Sequence, residues 1–181
     1  MKAFILERYG SADAVRAGEM PEPDLKEDEV LVQVRAAGVN PLDIKIRKGE
    51  LKRILPYRLP IILGHEVAGV VVRVGSQVRR FKAGDEVYAR LSKDRTGGFA
   101  EFVSISEDAV AIKPKTVTME EAASIPLVGL TAWQALIERD RSFLDREPGN
   151  AAFELSNQKE RKTAWRQVFV PDDESERRSI A

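Results

Sequence analysis

Two short runs hold most of the side chains that could do chemistry. Asn40-Pro41-Leu42-Asp43-Ile44-Lys45 sets a carboxamide, a carboxyl and an ammonium group close together, and Gly64-His65-Glu66 puts the only histidine beside a second carboxyl. Donors such as the Asn40 amide and the Lys45 ammonium are the groups that stabilise negative charge developing on an oxygen. Tyr57 and Thr131, the latter within Gly129-Leu130-Thr131-Ala132-Trp133, add two hydroxyls. Asp43 and Glu66 invite a reading as a general acid/base pair, but nothing in the sequence marks either carboxyl as perturbed. Asp43 is better placed to cap a helical turn after Asn40-Pro41, and Glu66 to fix loops by accepting backbone amides. The others have structural roles open to them as well: Asn40-Pro41 starting a helix, Lys45 on a solvated face, Thr131 bonding its own backbone, His65 a satisfied structural residue. With no cysteine in the chain, disulfides, thiolate metal ligands and a cysteine nucleophile are excluded.

The segments that must position these groups read mainly as strands. Lys2 to Arg8 and Val30 to Ala37 alternate or run apolar, separated by a polar, turn-like stretch from Pro21 to Glu29. Glu66 to Val74 is rich in β-branched residues, and Gly69 inside it signals close backbone packing or a bulge. Glu86 to Arg90, Phe99 to Ile105 and Ala109 to Ile112 add three short strands at regular spacing, the signature of a sandwich or barrel. Helical periodicity comes later. Thr118-Met119-Glu120-Glu121 reads as a capping box, Leu127 to Arg139 carries apolar residues at helical spacing, and Pro126 separates the two.

Length and charge narrow the class. The chain of 181 residues, 43% hydrophobic, suits one domain of ordinary size plus a remainder. Its 29 basic and 29 acidic residues are interspersed, leaving no overall electrostatic footprint for nucleic acid or an anionic membrane. No apolar run approaches the length that spans a bilayer, and MKAFILERYG carries charge too early for a signal peptide, so a cytoplasmic protein is expected.

The runs Gly38 to Gly49 and Ile62 to Ala89, with Asn40, Asp43, Gly64-His65-Glu66 and Gly84-Asp85 in order, resemble the catalytic domain of the medium-chain dehydrogenase/reductase superfamily, in its zinc-free quinone oxidoreductase and enone reductase branch. The resemblance runs from Met1 to about Arg141. It implies a mainly β fold with short helices, a partly open GroES-like barrel, and NADPH-dependent reduction of quinones or α,β-unsaturated carbonyls. It also implies that Asn40 lies near the nicotinamide and the reacting carbonyl, Lys45 near cofactor or substrate, and Thr131 facing the nicotinamide. Tyr57 would line the entrance, and His65 would stand beside the cleft, within reach of substrate. Zinc-dependent relatives have a cysteine where this sequence has Asn40, and His65 stands alone, so no metal is expected.

Beyond Arg141 the resemblance stops. No G-x-G-x-x-G turn occurs in the chain, and Ser142 to Ala181 contains one glycine, Gly149. A pyrophosphate cradle at a helix N-terminus cannot be built from it, and the remaining residues are too few for several βαβ units. The expected organisation is a GroES-like domain over 1–125, a helix over 126–141 leading toward an absent nucleotide-binding half, and a divergent, poorly ordered tail over 142–181. A chain so truncated should turn over little, or act as a non-catalytic interaction module. Leu127, Val128, Leu130 and Trp133 would be left uncovered, favouring self-association, pairing with a full-length relative, or docking of Trp165 and Phe169 from the tail.

Overall fold

The computed structural model describes residues 1–92 and 95–135. Its elements are β1 (Lys2–Leu6), β2 (Val15–Glu19), β3 (Glu29–Ala37), α1 (Pro41–Lys48), β4 (Ile61–Ile62), β5 (Glu66–Val74), β6 (Glu86–Arg90), β7 (Phe102–Ser106), β8 (Val110–Ile112), α2 (Met119–Ala123) and α3 (Pro126–Trp133). The described residues divide into Met1–Lys113 with Val117–Leu127, and Pro114–Thr116 with 128–135. The tail over 142–181, with Trp165 and Phe169, lies outside the described residues, as does the end of the helix expected to reach Arg139.

The first unit is mostly β with short helices, consistent with the expected GroES-like barrel. One sheet runs β2-β1-β4 and the other β7-β3-β5-β6-β8, every pairing antiparallel. A bridge between Ala3 and Ala100 joins them. The strand expected at Glu66 to Val74 and that at Glu86 to Arg90 have the bounds read from the sequence. β2 was not legible: Arg16 and Gly18 break the apolar pattern of an edge strand that is mostly exposed. β4, only two residues long, carries no periodicity at all. Pro126 does not merely separate two helices but opens α3, where its missing N–H costs nothing.

β3 and β5 form the centre. Their first four residues are buried without alternation, because both faces are covered: the core on one side, and on the other α2, whose Ala122 and Ala123 are themselves buried. Val30, Val32, Val67, Val71, Val87 and Ile105 fill the interior, each contributing about 2 kcal/mol of apolar burial. The pairing slips at Arg35, since Val34 faces Gly69 and Ala36 faces Ala68. Of the two alternatives read for Gly69, the close approach occurs at Gly69 itself, where a Cβ would lie 2.1 Å from the Gln33 carbonyl oxygen, while the bulge is on the facing strand at Arg35. A second apolar cluster, around Leu6, Ile46 and Leu63, anchors α1 and the loop after it.

Glu29, at the start of β3, is buried and accepts hydrogen bonds from the Ser104 hydroxyl and the Lys26 N–H, with Arg95 paired to its other oxygen. Burial pushes this carboxyl up, but Ser104, the Lys26 N–H and the Arg95 and Lys26 charges outweigh it and hold it below the usual range. A carboxyl lowered on folding adds stability that is present above its unfolded value and lost as pH falls through its folded one. Glu29→Gln should therefore flatten the acid limb of a plot of urea midpoint against pH below about pH 5; an acid limb unchanged from wild type would contradict this.

Candidate active-site cluster

The chain from Gly38 to Lys48 turns sharply into α1, and the turn is built from the inside. Asn40 is the N-cap, in extended conformation, and Pro41 opens the helix. The Asn40 N–H donates to Asp43 Oδ2 at 2.8 Å, the reciprocal half of a capping box. Gly49, at φ 76°, closes the other end in the left-handed region.

Asp43 also has a second partner. Its Oδ1 accepts from His65 Nδ1 at 2.7 Å, which fixes the imidazole tautomer and leaves Nε2 facing inward without a partner among the described residues. Glu66, next along β5, accepts from the Asn40 side-chain Nδ2 on Oε1 and from the Leu127 N–H on Oε2, both at 2.7 Å. The two motifs far apart in sequence thus meet as one hydrogen-bonded cluster of Asn40, Asp43, His65 and Glu66. It is almost dry: His65 is 0% exposed and Asn40, the most open, 5%. The space around it is tight as well, since a Cβ on Gly38 would come within 2.2 Å of Glu66 Oε1.

Both structural expectations for the carboxyls hold. Asp43 caps the helix, and Glu66 accepts a backbone amide. What sequence reasoning missed is that each carboxyl also grips a side chain of the other motif. The i to i+3 spacing of Asn40 and Asp43 could signal the cap, but Asp43 and His65 stand 22 residues apart, a pairing that no local pattern encodes.

Lys45 is exposed on α1. Tyr57 is half-buried in the apolar cluster with Leu55, Leu59 and Phe99, and its carbonyl accepts from the Tyr9 hydroxyl at 3.4 Å. Thr131 is exposed on α3, in the second unit. A cleft of about 1040 Å³ opens beside α1, lined by Asp43, Ile44 and Arg47 together with Val34 to Ala37 and Phe99, yet by none of Asn40, Lys45, Tyr57 or His65. Among the described residues no three of His, Cys, Asp or Glu are grouped to hold a metal ion, and no helix is long and apolar enough to cross a membrane.

Residues 26–115, which contain the whole cluster, match the alcohol dehydrogenase GroES-like domain. That segment belongs to the family. Over 136 residues the GroES-like chain is 44% identical to the chloroplastic quinone-oxidoreductase homolog of Spinacia oleracea, covering 75% of itself and 41% of that relative. Over 149 residues it is 40% identical to the chloroplastic NADPH-dependent alkenal/one oxidoreductase of Arabidopsis thaliana, covering 78% and 38%. Its fold superimposes on Escherichia coli quinone oxidoreductase, solved in complex with NADPH, with a TM-score of 0.69 and 33% identity over 76% of this chain and 41% of that one. The GroES-like chain thus spans about two-fifths of the length of these relatives.

Proposed function

We propose that this chain is the substrate-side domain of a zinc-free, NADPH-dependent reductase of quinones or α,β-unsaturated carbonyls, and that the 181-residue chain alone binds NADPH weakly and turns over little. The observation that carries the reading is the buried Asn40–Asp43–His65–Glu66 cluster lying inside the GroES-like match, in a chain whose relatives are named for quinone and alkenal/one chemistry. A cytoplasmic location belongs to the same proposal.

The residues described do not fit the cofactor's pyrophosphate. Such a group sits on free N–H groups at a helix N-terminus. Here each α-helix start already has a carboxyl on it: Asp43 at α1, Glu121 with Thr118 at α2, and Glu66 on the Leu127 N–H at α3. These acids would repel a phosphate rather than receive it.

The chain's contribution on this reading is to hold donors rigidly. Glu66 pins one N–H of the Asn40 amide and leaves the other for an oxygen on which charge develops. Asn40 and Thr131 are the proposed contacts to the nicotinamide, and Lys45 a second donor toward the substrate. Tyr57 is proposed at the entrance. His65 can meet substrate only through Nε2, the one ring atom left without a partner among the described residues. The second reading, a non-catalytic binding module, draws on the same closed helix starts.

Calorimetric titration of the chain should give an NADPH dissociation constant no tighter than about millimolar, equivalent to roughly 4 kcal/mol. A micromolar constant would overturn the weak-binding part. Joined in frame to the nucleotide-binding half of a complete relative, the chain should reduce a quinone or an enone, with Asn40→Ala lowering kcat by about tenfold to a hundredfold. A fusion that folds and binds NADPH but reduces neither would sink the reductase reading in favour of the binding module.

A further inference from the structure

The even balance of charge over the whole chain conceals a local excess. Between residues 45 and 58 stand Lys45, Arg47, Lys48, Lys52, Arg53 and Arg58 against a single acid, Glu50. All six but the half-buried Arg47 are exposed, and among the described residues the only ion pair in the set is Lys48 with Glu50, at 3.7 Å. From the geometry we infer that this excursion is a docking surface for an anionic lipid bilayer. The inference goes beyond the proposed reaction and does not depend on it.

The backbone explains why Lys52 and Arg53, at the middle of this run, are turned to solvent. Gly49 ends α1, and the chain then makes a further helical turn, with the Ile54 and Leu55 N–H groups donating to the Leu51 carbonyl at 2.9 and 2.7 Å. Leu51 and Leu55 face the apolar cluster around Ile46. Lys52, Arg53 and Ile54, lying between them, are therefore turned to solvent, and Ile54 is 76% exposed. Val39, at 73%, and Ile44, at 44%, are open too but line the cleft beside α1, so Ile54 is the aliphatic side chain that stands among the cations.

The mixture selects the partner. Cations near an anionic surface gain attraction additively, and aliphatic side chains between them can enter the interfacial layer. A single-stranded nucleic acid would meet the same charges, but it is held by stacking on aromatic rings, and the exposed apolar side chain among these cations is the aliphatic Ile54. An acidic protein partner would need a shaped pocket for Ile54, whereas a bilayer needs none.

The test is sedimentation of the full chain with vesicles. Vesicles of equal parts phosphatidylcholine and phosphatidylglycerol should bind it at low ionic strength, and pure phosphatidylcholine vesicles should not. Lys52→Glu with Arg53→Glu should weaken binding by at least about tenfold, and Ile54→Asp should weaken it too. The same charge change at Arg79 and Lys82, on the connection between β5 and β6, should have little effect. Raising salt from about 10 mM to about 300 mM, which shortens the screening length several-fold, should release wild type and so reads the surface without any variant. Equal binding to both vesicle types, binding indifferent to salt, equal losses in the two charge-reversed pairs, or retention by a nucleic acid with none by the mixed vesicles would each overturn the inference.

Discussion

Asp43→Ala should destabilise the folded chain by about 4 kcal/mol, the scale for removing one partner of a buried hydrogen-bonded pair. The side chain accepts from two donors that water does not reach, the Asn40 N–H and His65 Nδ1, and alanine leaves both without an acceptor. The carboxylate removed is small, so the polar loss dominates over the cavity. Asp43→Asn keeps one acceptor oxygen and turns an NH2 toward the other donor, so it should recover only part of the loss. Urea midpoints of the three proteins decide the matter. A wild-type midpoint in Asp43→Ala would show that the two donors find other acceptors and that the cluster adds little to folding.

Gly69→Ala should cost about 3 kcal/mol, at the upper end of what overpacking a core does, and lower the melting temperature by roughly 10 °C. The added methyl would meet the Gln33 carbonyl oxygen at 2.1 Å and Val32 Cγ1 at 2.8 Å. Both belong to the central strand β3, which is held on its other edge by β7 and cannot retreat. Gly84 provides the contrast. It has φ 95° but nothing within 4 Å of a built Cβ, so Gly84→Ala bears only the left-handed penalty of about 1 kcal/mol. If the two variants melt together, the close approach at the bulge is not what selects glycine at position 69.

Much of this arrangement was legible because local chemistry and global fold agree. The β-branched run from Glu66 to Val74, the Thr118–Glu121 capping box and the tight contact at Gly69 each have a signal within a few residues. β2 and β4 had none, one being a polar edge and the other a two-residue pairing fixed by β1. At the site, the residue types were evident but their partners were not. Asn40 read as a free donor, yet half of its amide is committed to a carboxyl 26 residues away. Lys45, near it in sequence, projects into solvent because two steps along a helix turn it about 200° from the buried side that carries Asp43. Such pairings depend on which strand lies against which helix, and that is decided by burial over the whole barrel.

Glu66 joins two elements that have no other reason to respond to one another. Its two oxygens hold the amide of Asn40 at the entrance to α1 and the N–H of Leu127 in the first turn of α3. A carboxyl that loses one donor strengthens its hold on the other and reorients toward it, so the two bonds are linked, and by reciprocity a strain applied at either end is felt at the other. A change at the start of α3 should therefore reach the orientation of Asn40 through this one side chain.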